Sequence, residues 1–355
     1  MDTKDRLKGI PLPHEARQTQ GMTVGLIVPP SQFIVPCGWE WVHTAPFEGP
    51  SIIAALVKGL GYGFKLIDQR TIFDPNDLAG KVGGFDIVGI CTYEDSFVYL
   101  RKAIEIIKME NPNAPIVLGG PLVTSAPRLL MENTMADYAV IGEGELTMTE
   151  LLDYLSKNGH ALPVEKIDGL AWKDNGGRVV VNRQREQMES LDDVPFQDFS
   201  VWERFADRDI PEVYLSYSRG CAYGCSFCYR PMPKLRYKSI DRVRKELEYL
   251  KKRNFKMAWW NDLTFTIDHD YVQRLLDEAI SVHDFRWSAF ARIDSVNAEI
   301  LKRMKERGCD VILYGFESIT QDILNSYSKG TSKNDVVNAI NLTKDAGIKV
   351  GGLFI

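Results

Sequence analysis

With 355 residues the chain is long enough for two or three domains, and 45% apolar with 26% charged residues is ordinary for a globular protein. A formal charge of -5 gives no bulk attraction to nucleic acid or to an anionic membrane. No apolar run approaches the roughly 18 residues a membrane span needs, and six cysteines in a chain this long argue against a disulfide scaffold. The expected setting is a reducing cytoplasm, with no nucleic-acid and no membrane partner.

Residues 1–21 are polar, contain Pro11 and Pro13, and read as a flexible arm. From residue 22 the pattern changes to apolar runs at 23–28, 64–68, 86–91, 115–119 and 137–141, read as strands. Between them lie runs of helical period, such as Ile52, Ile53, Leu56, Val57 and Leu60, or Leu100, Ile104 and Ile107. Strand and helix in alternation predict a doubly wound parallel sheet over 22–157 with helices on both faces. Ligands of such a sheet sit at the carboxyl ends of its strands. The loops there are Pro29-Pro30, Thr92-Tyr93-Glu94, Gly119-Gly120-Pro121 and Gly142-Glu143-Gly144-Glu145. Their glycines either admit a close ligand or merely make tight turns. No Gly-x-Gly-x-x-Gly follows the first strand, which disfavours a dinucleotide.

Residues 158–212 read as a linker. It contains a hairpin, 167–172 and 178–182 around Lys173-Asp174-Asn175-Gly176-Gly177, and an extended stretch at Leu191 to Phe196. Strand and helix then alternate again over 213–355, with strands expected at 213–217, 256–260, 286–291, 310–315 and 349–355. Ser239, Asp268, Asn297 and Ser332 stand where helix N-caps belong, and Gly308 and Gly347 where C-terminal glycines belong. The pattern is the start of a parallel barrel. Residues at the carboxyl ends of its strands, Asn261-Asp262, Arg292 and Glu317-Ser318, are candidates for ligand contact, with salt bridges or caps as the bland reading. Trp259 and Trp260 read as core and wall.

Between the first two of these strands lies Arg219-Gly220-Cys221-Ala222-Tyr223-Gly224-Cys225-Ser226-Phe227-Cys228. Cys221, Cys225 and Cys228 form C-x3-C-x2-C in a loop of small residues that can turn three sulfurs inward. Thiolates are the ligands of iron-sulfur clusters, and a 4Fe-4S cluster takes four of them. Three cysteines would leave one iron open, as a catalytic zinc site keeps a position open. A structural zinc site would need a fourth ligand, and none is near, the other cysteines being Cys37, Cys91 and Cys309 and the next histidine His269. Unliganded core cysteines are the remaining alternative.

The C-x3-C-x-aromatic-C loop, with Phe227 before the third cysteine, resembles the signature of radical S-adenosylmethionine (SAM) enzymes, and the resemblance runs from about Val213 to the last residue. It implies a 4Fe-4S cluster whose open iron chelates the amino and carboxylate groups of SAM, and which when reduced cleaves SAM to a 5'-deoxyadenosyl radical. It implies that Asn261-Asp262 meets the SAM amino group and that Glu317, with Ser318 and Arg292, contacts its ribose or carboxylate. The family's barrel has six strands, so five suggest a barrel truncated after its fifth. An electron donor such as flavodoxin or ferredoxin is implied as a partner.

The N-terminal order Gly119-Gly120-Pro121, then 136–145, then a helix from Leu146, is similar to the cobalamin-binding domain that precedes many radical SAM barrels. This resemblance places Thr92, Tyr93, Gly119, Gly120, Gly142, Glu143 and Gly144 at cobalamin. One departure is that the Asp-x-His-x-x-Gly loop of other cobalamin proteins is absent, and His14, His43 and His160 lie in no such context. Together the two resemblances imply a cobalamin-associated radical SAM enzyme acting on a small molecule or natural product, with methyl transfer to an unactivated carbon as the favoured reaction. Radical cyclisation or rearrangement, and a non-catalytic corrinoid- or metal-binding module, are the alternatives.

Overall fold

The computed structural model describes residues 3–11, 13, 21–30, 45–205, 209–228 and 232–355, and the chain falls into two units, 1–188 with 193–207 and 189–192 with 208–355. His14, Cys37 and His43 lie outside the described residues. No described helix is long and apolar enough to cross a membrane.

In the first unit β1 (Thr23–Val28), β2 (Gly63–Asp68), β3 (Ile87–Cys91), β4 (Ile116–Gly119) and β5 (Tyr138–Val140) are parallel and lie in the order β2-β1-β3-β4-β5. Their side chains alternate between two cores. Ile27, Val88, Ile90, Ile116 and Leu118 face the helix Phe97–Glu110, whereas Val24, Ile87, Val117 and Val140 face the helices Glu48–Gly59 and Gly144–Ser156. Burial on both faces is why these strands are almost continuously apolar. The doubly wound sheet expected from the sequence is therefore present.

Two boundaries differ from the sequence reading. The hairpin assigned to a linker is part of this sheet, because β6 (Leu170–Lys173) runs antiparallel to β5 and β7 (Val179–Val181) antiparallel to β6. Its turn has the expected chemistry, with Gly177 at φ +76 and the Asp174 carboxylate accepting from the amides of Gly176 and Arg178, both at 2.9 Å. The N-terminal arm is also ordered in part, as the helix Thr3–Lys8, which buries Leu7 in the second core and pairs Arg6 with Asp153. Six residues carry too little periodicity to announce a helix, and tertiary contacts, among them buried Leu7 and the Arg6 ion pair, dock it.

The second unit holds β8 (Glu212–Leu215), β9 (Ser218–Arg219), β10 (Arg236–Tyr237), β11 (Met257–Trp260), β12 (Arg286–Ala291), β13 (Cys309–Glu317) and β14 (Lys349–Phe354). Five of them form a parallel sheet in the order β14-β13-β12-β11-β8, and β9 pairs with β10 alone. The caps stand as expected. Ser239, Asp268, Asn297 and Ser332 each accept the N3 amide of the helix they open, and Gly308 and Gly347 have φ +90 and +76 after helices.

One face of the sheet is covered by helices. Tyr217 stacks on Tyr271 at 4.9 Å, Trp287 Nε1 donates to the Arg307 carbonyl at 2.6 Å, and Tyr314 bonds Thr343 at 2.8 Å. Alternation then puts Tyr214, Trp259, Ser288 and Val311, which lie in register, on the opposite, inner face. Phe290 and Leu313 follow on that face. At the carboxyl ends come Asn261, Arg292 and Glu317.

Candidate active site

The cysteine loop is anchored at both ends. It leaves β9 and returns through β10, whose pairing of Ser218 with Tyr237 and Arg219 with Arg236 closes its base. Below, the buried Asp262 carboxylate accepts from the amides of Tyr217 (3.1 Å) and Ser218 (2.6 Å) and from the Ser218 hydroxyl (2.6 Å). A buried carboxylate needs such donors, and here they fix the backbone that enters the loop. Gly220 then takes φ +95 so close to the return strand that a Cβ would stand 2.2 Å from the Lys234 carbonyl oxygen. Only glycine fits. Gly220→Ala is therefore expected to displace Cys221, whose amide donates to the Met232 carbonyl at 3.2 Å, and to drop iron after anaerobic reconstitution from about four per chain to well under one. An iron and sulfide assay checks it, and full iron in the variant would contradict the tight approach.

Cys221 and Cys225 are half-buried, Cys228 is exposed, and all three are free thiols. Among the described residues no three His, Cys, Asp or Glu side chains close into a cage for one metal ion. A four-iron cluster gives each thiolate its own iron and asks for no such cage. Cys225 Sγ accepts from Arg292 Nη1 at 3.3 Å, and hydrogen bonds to sulfur are one of the levers that tune cluster potential. The donor set thus suits a cluster. A loop after the helix Gln321–Ser326 supports it from the side, where Ser226 donates its amide to the Tyr327 carbonyl at 3.0 Å and Phe227 meets the Tyr327 ring edge-on at 5.2 Å.

The strand-end candidates are brought to this same end of the sheet, and they divide. Asn261 is exposed, its amide donating to the Leu215 carbonyl at 2.7 Å. Asp262 is committed to the loop backbone. Arg292 is also committed, forked on Asp294 (2.9 and 2.7 Å), donating to the Lys329 carbonyl (2.8 Å) and lying 3.8 Å over the Tyr223 ring. Glu317 takes φ +61 at a bulge in β13, and its Oε1 accepts from Lys329 Nζ at 2.5 Å. Ser318 follows, half-buried, accepting the Thr320 amide at 3.1 Å. Tyr223, Asp294, Tyr327 and Lys329 join these contacts without any local pattern in the sequence that marks them. Lys329 stands twelve residues beyond Glu317 in a loop and has no periodic signal to betray it.

In the first unit Thr92, Gly119 and Gly120 form one knot. Thr92 donates its amide (2.7 Å) and hydroxyl (3.0 Å) to the Gly119 carbonyl, and its own carbonyl and hydroxyl accept the amides of Leu122 and Val123. Gly120 has φ +111, and a Cβ there would stand 2.8 Å from the Thr92 carbonyl oxygen. Thr124 ties the next loop in, donating to the Gly120 carbonyl and accepting the Gly142 amide, both at 3.0 Å. Above Gly119 and Gly142, by contrast, a Cβ would meet nothing within 4 Å, which is the open strand-end space a ligand needs. Gly144 begins the last helix, and Glu143 turns back to accept the Met188 amide at 2.9 Å. Tyr93 sits beside Cys91. Burial pushes the Cys91 thiol up to about 12, and burial first and then Cys91 hold the Tyr93 phenol well above its usual value.

A family model described as the radical SAM superfamily matches residues 215–355, and one described as a B12 binding domain matches 46–152. An uncharacterised methyltransferase of Pyrococcus horikoshii is 30% identical over 350 residues, which are 94% of this chain and 74% of that one. The anaerobic magnesium-protoporphyrin IX monomethyl ester cyclase of Rubrivivax gelatinosus is 26% identical over 286 residues, 76% of this chain and 50% of that one. Among solved structures, the cobalamin-dependent SAM radical enzyme OxsB, with aqua-cobalamin and SAM bound, shares the fold with a TM-score of 0.74 at 21% identity, over 94% of this chain and 49% of that one. The chain thus spans about half the length of the cyclase and of OxsB. It belongs to the radical SAM superfamily, joined to a B12-binding domain, and is an enzyme of that class. A 4Fe-4S cluster, SAM and cobalamin are the cofactors that go with these two domains.

Proposed function

We propose that this protein is a cobalamin-dependent methyltransferase acting on an unactivated carbon of a small molecule or natural product. The observation that carries the reading is the presence, in one chain, of three free thiols in a pinned loop at the carboxyl ends of one parallel sheet and of an open glycine-lined strand end on another. When bound, the cluster supplies the electron that cleaves SAM, and the corrinoid supplies a carrier for a methyl group. The chain's own residues position these groups. Cys221, Cys225 and Cys228 would hold the cluster, and Asn261, Ser318 and Glu317 Oε2 would contact SAM, with Asp262 and Arg292 holding the loop beside them. Thr92, Tyr93, Gly119, Gly120, Gly142, Glu143 and Gly144 would shape the cobalamin face. The electron would come from a flavodoxin or ferredoxin in the cytoplasm.

The test is anaerobic. Protein reconstituted with iron, sulfide and cobalamin is incubated with reductant, candidate substrates and SAM carrying a deuterated methyl group, and the products are weighed by mass spectrometry. A substrate bearing the labelled methyl, together with 5'-deoxyadenosine, is the expected result. Deoxyadenosine with a cyclised or rearranged, unlabelled product would favour the cyclase reading, toward which the relation to the protoporphyrin ester cyclase leans. Neither iron nor deoxyadenosine would leave a non-catalytic binding module.

A further inference from the structure

The Lys329 side chain is only 3% exposed. A buried ammonium is costly unless its protons are taken up. Here Nζ donates to Glu317 Oε1 and to the Gly315 carbonyl, both at 2.5 Å. The surroundings are shaped for that pair. Gly315 has no room for a side chain, since a Cβ would stand 2.4 Å from Glu317 Oε1 and 2.9 Å from Lys329 Nζ. Glu317 itself is bent to φ +61, and Lys329 lies between Ser328 at φ +50 and Gly330 at φ +74. Left-handed backbone at non-glycine residues is held only where the surroundings enforce it. Glu317 Oε2 takes no hydrogen bond from any described residue.

The same short loop also reaches the cysteines. The Lys329 carbonyl accepts Arg292 Nη2 at 2.8 Å, Arg292 Nη1 donates to Cys225 Sγ at 3.3 Å, and the Tyr327 carbonyl accepts the Ser226 amide. An unbroken line of contacts therefore runs from Cys225 through Arg292 and Lys329 to Glu317.

We propose that Lys329 is a positioning residue for SAM. Its ammonium clamps one oxygen of Glu317 so that the other is presented to the ligand, while its carbonyl, through Arg292, keeps that carboxylate in register with the cysteine loop. The inference rests on the reading of Glu317 as a SAM contact, and the experiment separates the two.

Wild type, Glu317→Gln, Lys329→Met and the double variant are reconstituted anaerobically; iron content and visible absorbance are measured, and affinity for radiolabelled SAM is read by equilibrium dialysis. Each single variant is expected to keep its iron and to bind SAM about tenfold or more weakly, the order expected when a hydrogen bond to a charged group, or the partner that orients a ligand group, is lost. The double variant is expected to bind no more weakly than the weaker single one, because Lys329 acts through Glu317. Lys329→Gln, which keeps a donor in the pocket, should fall between wild type and Lys329→Met. Wild-type affinity in Glu317→Gln would end the reading of Glu317 and the proposal with it. If Glu317→Gln weakens binding while Lys329→Met does not, or if the two losses multiply in the double variant, Lys329 alone is misassigned. Loss of iron in Lys329→Met would place the residue in support of the cysteine loop and would equally overturn the proposal.

Discussion

Replacing Cys221, Cys225 and Cys228 together by alanine is expected to abolish the visible sulfur-to-iron absorbance of the reconstituted protein and to take its iron from about four per chain to near zero. The loss should be complete, since the three changes together remove every thiolate of the loop. The matched control is the pair Cys91→Ala and Cys309→Ala. Burial pushes the Cys91 thiol up to about 12 and raises that of Cys309, with Cys309 only 1% exposed. A thiol held protonated is a poor iron ligand, so these variants should keep absorbance and iron. Truncating buried Cys309 or half-buried Cys91 leaves only a small cavity, so stability should change by about 1 kcal/mol. A band that survives the triple change would remove the cluster from this loop, and one lost in the control pair would show that iron is held elsewhere.

The reading of Cys221, Cys225 and Cys228 as cluster ligands rests on a local signal: spacing and residue type carry it without knowledge of the fold, and the iron assay is its test. The same holds for Ser239, Asp268, Asn297 and Ser332, since an N-cap is decided by its own helix's first turn. Long-range pairing is what the sequence conceals. Nothing in residues 170–181 says that β6 will lie against β5 rather than form a free hairpin, because the choice depends on which edge is left open. Asp262 and Arg292 show a related limit. Their position at strand ends follows from the sequence pattern, but a carboxylate that could meet a ligand and one spent on the amides of Tyr217 and Ser218 look alike in a sequence. An arginine forked on Asp294 likewise cannot be told from a free one. Lys329 escaped because its partners are distant loops and a bulged strand.

In the first unit, Gly119→Val is expected to expel cobalamin while leaving the fold and the iron-sulfur cluster in place. Gly120 is the more tempting target and the worse one. With φ +111 and the Thr92 carbonyl oxygen 2.8 Å from where its Cβ would go, a side chain there breaks the knot between β3 and β4 whether or not a ligand is near. Gly142, at φ +77, carries the strain without the clash. Gly119 has neither defect: it ends β4, its carbonyl serves Thr92, and the space above it is open to at least 4 Å. Valine suits a strand, so thermal unfolding should move little, by about 1 kcal/mol or less. Any loss of corrinoid would then come from the ligand's space being filled. Unchanged retention of cobalamin in Gly119→Val would move the corrinoid off this strand end. The Co(II) form of the wild-type protein should show no nitrogen superhyperfine splitting in electron paramagnetic resonance, because the sequence has no Asp-x-His-x-x-Gly loop and His160, the histidine of this unit among the described residues, is exposed in a turn with Asn158. Clear splitting would assign the lower face of cobalt to His43 or to the cofactor's own base. Failure of the unmutated protein to hold any corrinoid would leave the sheet as a scaffold, and methyl transfer through cobalt would fall with it.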